Sequence, residues 1–306
     1  MKNKIPLFIV IFFALLLLVF LVVGIMYPLE GTIVFSDSGA EMYIFNTKNI
    51  HGTIREFFKT NIRGFEPCFS PNGNEVLFTK DNPLGWPLSQ SPEYELMIVA
   101  REGRNFKKVL DMGEKACGYS SWAPDGSKIT FLTKKNEYSG ELFVSSLDGS
   151  NIRKVTDIPI SVNRPSWMPD SKKIVFSSEN GVIFSINYDG TDKKVIIKGL
   201  APSVSPDGKK IAFRDMRNIY LCDIDGKNKK ILVWNYDRVI FRSSYPRGGY
   251  PTEFAWSPDN KYLLYSRSTW GIFSDLVVVS SKWPHRKKVL HTIGGDIGRA
   301  SCRERV

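Results

Sequence analysis

A proline-centred turn recurs five times along the chain: Ser70-Pro71-Asn72-Gly73, Ala123-Pro124-Asp125-Gly126, Met168-Pro169-Asp170-Ser171, Ser205-Pro206-Asp207-Gly208 and Ser257-Pro258-Asp259-Asn260. A second turn follows four of them, at Glu102-Gly103, Asp148-Gly149, Asp189-Gly190 and Asp225-Gly226. Ala201 to Val233 shows the unit whole, with apolar strands at Ile211–Phe213, Ile219–Leu221 and Ile231–Val233 set around the two turns. A unit of about 40 residues with about four short strands cannot bury its apolar surface alone, but a ring of such units can. The pattern predicts an all-β fold, a six-bladed β-propeller filling 29–295.

The first unit begins at Thr32–Phe35, continues through Glu41–Phe45 and Ile54–Phe58, and lacks an innermost strand. The opposite terminus is expected to supply one, because ring closure removes the open sheet edges that pair with other chains. After Leu290, however, the chain reads HTIGGDIGRASCRERV, with neither strand alternation nor repeat character. Residues 296–306 therefore read as a foreign scar or a disordered tail, outside the fold.

Residues 1–28 read as a cytoplasmic stub and a transmembrane signal anchor. Ile5 to Met26 is an apolar run long enough to cross a bilayer. Its exit, Gly24-Ile25-Met26-Tyr27-Pro28, lacks an A-x-A cleavage site, and Lys2 and Lys4 place the N-terminus in the cytoplasm. The propeller is then expected to be exported, periplasmic or extracellular. The net charge of +11 raises nucleic acid as a partner. The Lys pairs, as at Lys172-Lys173, Lys193-Lys194 and Lys209-Lys210, are instead spread through the turns, and no nucleic-acid partner is expected. Cys68 and Cys117 open successive units, which leaves either a disulfide between neighbours or two unpaired thiols.

Pro presets the backbone of a type I turn, and Asp at the next position can accept hydrogen bonds from its own backbone. Asp125, Asp170, Asp207 and Asp259, each in the same local context, are therefore expected to cap turns rather than do chemistry. Three histidines without metal spacing, no G-x-S-x-G elbow and no phosphate-binding loop give catalysis little support. No cofactor and no metal is called for.

Both turn types fall at one end of the strands, so the irregular connections share the opposite face, where function concentrates on a rigid scaffold. Those loops carry Trp86, Tyr138, Trp234, Tyr236, Arg238, Arg242, Tyr245, Arg247, Tyr250 and Trp270. Trp, Tyr and Arg are the residue types enriched at interface hot spots. Trp122, Trp167 and Trp256, each two residues before a turn proline, are expected in the core or the channel wall.

Segments such as PSVSPDGKKIAF, SSWAPDGSKITF, FAWSPDNKYLLY and IYLCDIDGKNKKIL resemble the WD-type repeats of the TolB-like propeller family, which also occur in propellers of prolyl-oligopeptidase-type peptidases. The resemblance covers about Gly31 to Leu290 and implies a protein-interaction platform. TolB proper adds an N-terminal α/β domain after a cleaved signal, and this chain reads as a membrane-anchored member without it. The expected function is an exported, non-enzymatic scaffold that binds a protein or a cell-envelope polymer through its variable-loop face. The alternatives are the propeller of a truncated peptidase and a glycan-acting tunnel enzyme. The sequence leaves the oligomeric state open.

Overall fold

The computed structural model describes residues 32–37, 41–46, 57–80, 95–101, 103–111, 117–134, 139–216, 218–234, 254–269, 273–282, 287–294 and 297–303. The apolar run from Ile5 to Met26 lies outside them. No helix among the described residues is long and apolar enough to cross a membrane.

All described regular structure is β, arranged in five antiparallel sheets. The first sheet holds β1 (Thr32–Asp37), β2 (Glu41–Asn46), β3 (Phe57–Phe69), β4 (Glu75–Lys80), β5 (Glu95–Ala100), β6 (Lys107–Asp111) and the last strand, β24 (Ile297–Arg303), in the order β24-β1-β2-β3-β4-β5-β6. The second holds β7 (Cys117–Trp122), β8 (Lys128–Lys134), β9 (Ser139–Ser146) and β10 (Arg153–Lys154), with β11 (Ile160–Ser161) also paired to β9. The third runs β12 (Ser166–Trp167), β13 (Lys173–Ser177), β14 (Val182–Asn187), β15 (Lys194–Lys198), and the fourth β16 (Leu200–Val204), β17 (Lys210–Arg214), β18 (Ile219–Asp223), β19 (Lys230–Val233). The fifth is β20 (Phe254–Trp256), β21 (Tyr262–Thr269), β22 (Phe273–Ser280) and β23 (Lys287–Gly294).

The second strand of each unit has a continuous apolar centre, as in KIVFS and KIAFR, because it is covered on both sides. The core lies between sheets. Leu77, Leu96 and Val109 of the first meet Trp122, Ile129 and Phe131 of the second, and Leu132, Leu142 and Val144 of the second meet Trp167, Ile174 and Phe176 of the third. Val175 and Ile183 then meet Ile211 and Phe213, and Ala212 and Leu232 meet Trp256 and Leu263. This face-to-face succession is a propeller. Directly opposed aromatic pairs, Phe131 with Phe143, Phe176 with Phe184 and Phe213 with Tyr220, stack at centroid separations of 5.4–5.7 Å.

The first sheet is double. β2 pairs with the N-terminal part of β3 (Glu41 opposite Arg63) and β4 with its C-terminal part (Gly64 opposite Lys80). Met42 of β2 packs on Phe69, Val76, Phe78 and Met97.

The expected third strand, Ile54–Phe58, lies partly outside the described residues; as described, β3 is Phe57–Phe69 and so runs well past Phe58. Of the two alternatives the sequence left open for Cys68, the structure places it in no disulfide. Within 296–306, Ile297–Arg303 is not a disordered tail; it is β24, antiparallel to β1 with Val34 opposite Ser301. A sheet edge asks only for extended backbone groups, so a segment without apolar alternation can occupy it.

Candidate functional site

Three surfaces could carry function: the turn face, the channel between the inner strands, and the loop face. At the turn face the carboxylates are committed to their own turns. Asp125 Oδ1 accepts from the Ser127 amide at 2.9 Å, Asp207 from the Lys209 amide at 3.1 Å and the Ser205 hydroxyl at 2.6 Å, and Asp259 from the Lys261 amide at 3.0 Å. Asp148, Asp189 and Asp225 do the same in the second turns. The Ser205 hydroxyl, helped by the Lys209 amide and charge, holds the Asp207 carboxyl below the usual carboxylate range. The capping role read from the sequence is what the structure shows.

Two of these turns also reach sideways. Ser171 and Asn260 occupy the position that Gly126 and Gly208 fill elsewhere, with φ of 55° and 61°. Ser171 Oγ accepts from the Asp125 amide of the neighbouring sheet, and Asn260 Oδ1 from the Asp207 amide, both at 3.0 Å.

The channel is lined by the inner strands and by Pro71, Pro124, Pro169, Pro206 and Pro258 at its mouth, enclosing a cavity of about 430 Å³. Hydroxyls three residues before the prolines tie the sheets together. Ser121 Oγ donates to Pro165 O at 2.8 Å, the Val204 amide donates to Ser166 Oγ at 2.9 Å, and Ser203 Oγ donates to Phe254 O at 3.2 Å. Indole N–H groups add to this, Trp122 to Cys68 O at 3.3 Å and Trp256 to Ser203 O at 3.1 Å. The three Trp residues are channel-wall residues, as expected.

Deeper in, five residues before the proline, the inner strands bulge. Glu66, Tyr119 and Ala201 there take φ of 61°, 55° and 50°, in register with breaks in the strand pairing. The left-handed region costs an ordinary residue about 1 kcal/mol or more, and bulges re-aim side chains. The Glu66 carboxylate accepts the Tyr119 amide of the next sheet. Arg164, at the equivalent position one sheet further on, sends Nη2 to Glu66 O at 2.8 Å and Pro67 O at 3.4 Å. Sequence reading missed Glu66 and Arg164, and their common offset from the turn proline is the signal that would have found them.

Among the described residues neither a carboxylate nor a histidine lines this cavity, and no cluster could hold a metal. Arg164 and the Cys68 thiol are its ionisable walls among those residues. The Cys222 thiol is pushed up to about 11 by burial, aided by Asp223 and Asp225.

On the loop face, Trp234 is 65% exposed where β19 ends, and Met216 is 62% exposed in the hairpin that joins β17 to β18 at the same end of the fourth sheet. Trp86, Tyr138, Tyr236, Arg238, Arg242, Tyr245, Arg247, Tyr250 and Trp270 lie outside the described residues.

Comparison with known proteins agrees with this geometry. A family model described as the TolB beta propeller domain matches residues 95–300. The uncharacterized peptidase YuxL of Bacillus subtilis is 29% identical over 208 residues, covering 66% of this chain and 29% of that protein. The Tol-Pal system protein TolB of Francisella tularensis is 27% identical over 212 residues, covering 55% of this chain and 46% of its own. Among solved structures, TolB from Acinetobacter baumannii superposes with a TM-score of 0.68 at 16% identity, covering 90% of this chain and 67% of that one. An oligogalacturonate lyase in complex with manganese gives 0.57 at 14% identity, covering 77% and 70%. The chain spans less than half the length of either of these curated relatives.

Proposed function

Because this chain belongs to the TolB β-propeller domain family, we propose that it is a binding platform rather than a catalyst: an exported propeller, tethered by Ile5 to Met26, that holds a protein or cell-envelope polymer on its loop face. Counting the double first sheet as two blades makes the ring six-bladed, with β24 lying along the free edge of β1. The observation that carries the reading is Trp234. A large aromatic residue, 65% exposed, stands on the irregular face at the same end of the fourth sheet as Met216, 62% exposed, whereas the carboxylates of the regular face are taken up by their own turns. The TolB relatives are named as members of a Tol-Pal system, which fits a protein partner.

The likeness to YuxL supports a second reading, the propeller of a longer peptidase. The lyase-like reading finds less support, since no carboxylate among the described residues lines the cavity. The test is capture of envelope proteins and glycans by crosslinking to the full chain, compared with Trp234→Ala, Tyr245→Ala and Arg247→Ala. Capture is expected to weaken while thermal unfolding stays unchanged. Undiminished capture by all three variants would place the binding surface elsewhere, and peptide hydrolysis by the native gene product would favour the peptidase.

A further inference from the structure

Strand direction fixes which face the N-terminal segment leaves from. In each unit the first strand ends in the proline turn and the second leaves it. β1 holds that second place, between β24 and β2 and antiparallel to both, with Thr32 opposite Asn46 and Arg303. Thr32 therefore lies at the turn face, and β1 runs from there toward the loop face. Five residues, Tyr27 to Gly31, separate it from the apolar run, a reach of at most about 20 Å.

The two faces differ in charge. Among the described residues from 70 to 282, the turn-face segments 70–75, 100–101, 103–107, 123–128, 146–154, 168–173, 187–194, 205–210, 223–230, 257–262 and 280–282 hold seventeen Lys and Arg against ten Asp and Glu. The described loop-face residues, at 80, 95, 111, 134, 139, 155–165, 177–182, 198–202, 214–216, 218–219, 233–234, 254 and 269, hold five of each. Lysines that look dispersed along the chain are dispersed around one face. Arg104, Lys172, Lys193, Lys209 and Lys282 are exposed there and form no ion pair among the described residues.

We propose that the turn face docks on the bilayer and binds the phosphate groups of anionic lipids, turning the variable loops outward to meet their partner. This rests on reading Ile5 to Met26 as an anchor. A short tether leaving from the basic face brings that face within reach of the head groups, and each cation near such a surface adds to the attraction.

The test is amine acetylation of the full chain in nanodiscs, read by mass spectrometry, with phosphatidylcholine alone or mixed with phosphatidylglycerol. In anionic discs Lys172, Lys193 and Lys209 should react on the order of fivefold more slowly, the factor matching the attraction of about 1 kcal/mol per cation. The protection should vanish in 1 M salt, where screening acts within about 3 Å. Lys198, at the loop-face end of β15, should react alike in both. Failure to co-elute with discs overturns the anchor and this inference together; co-elution with unprotected turn lysines, or with protection at Lys198, overturns this inference alone. The triple variant Lys172→Glu, Lys193→Glu, Lys209→Glu should still co-elute while Lys227 loses its lipid-dependent protection.

Discussion

The indole N–H of Trp256 donates to the carbonyl oxygen of Ser203 at 3.1 Å, crossing from the fifth sheet to the fourth. Trp122 makes the same bond to Cys68 O, but Nε1 of Trp167, equally placed before its turn, has no hydrogen-bond partner among the described residues. Replacing Trp256 with Phe takes this donor from a part-buried carbonyl, whereas Trp167→Phe loses packing only. Trp256→Phe should therefore lower the unfolding free energy by about 1 kcal/mol more than Trp167→Phe. Denaturant titration of both variants checks this, and equal losses would mean the bond contributes nothing.

Glycines of the two turn types should respond differently to alanine. Gly226 has φ of 84°, and an added Cβ would sit 2.5 Å from Ile196 O of the third sheet. Gly126 has φ of 75° but open space around it. Gly126→Ala should cost about 1 kcal/mol, for the backbone alone. Gly226→Ala must also push two sheets apart and should cost more, read as a larger drop in melting temperature.

Acid should unfold the ring only well below neutrality. Lys173 and Lys194 hold the Asp192 carboxyl down to about 2 from the ordinary 3.8, and Asp207 is lowered too. A lowered carboxylate contributes stability that is present above the unfolded value and is lost as pH falls through the folded one. Melting temperature should fall between about 3.8 and 2, and in Ser205→Ala, which removes the main bond that lowers Asp207, the fall should be shallower.

Thiol labelling should separate Cys222 from Cys68. Cys222, buried and raised to about 11, should resist iodoacetamide at pH 8 until the chain unfolds. Its contribution to stability is complete below the unfolded value of 9.0 and lost as pH rises toward 11. Cys68, half-buried in the channel wall, should react in the folded protein.

Residues from Asp296 onward read as foreign, yet Ile297–Arg303 lies against β1. We propose that they occupy a slot that belongs to another sequence. Sequencing the source gene past the codon for Gly295 should give a different continuation, opening on an apolar strand. A genomic frame ending at Val306 would refute this.

The turns were legible because Pro, Asp and Gly act within four residues: Asp207 caps its own turn whatever surrounds it. The strands were legible because covering both sides of KIAFR leaves its three central positions apolar. The bulges were not. Nothing local asks Glu66 or Tyr119 to adopt positive φ; their partners lie on other sheets, and Arg164 meets Glu66 across 98 positions of sequence. The face of each lysine was hidden for the same reason, since it depends on strand direction and not on spacing.

Ser171 and Asn260 join the second sheet to the third and the fourth to the fifth, while Gly208, between the third and fourth, offers its neighbour no side chain to bond. At the mouth of the channel the ring is thus assembled from couples. Between the third and fourth sheets the tie sits one step deeper, at Ser166 and Val204, which gives a symmetrical-looking ring an unequal set of seams.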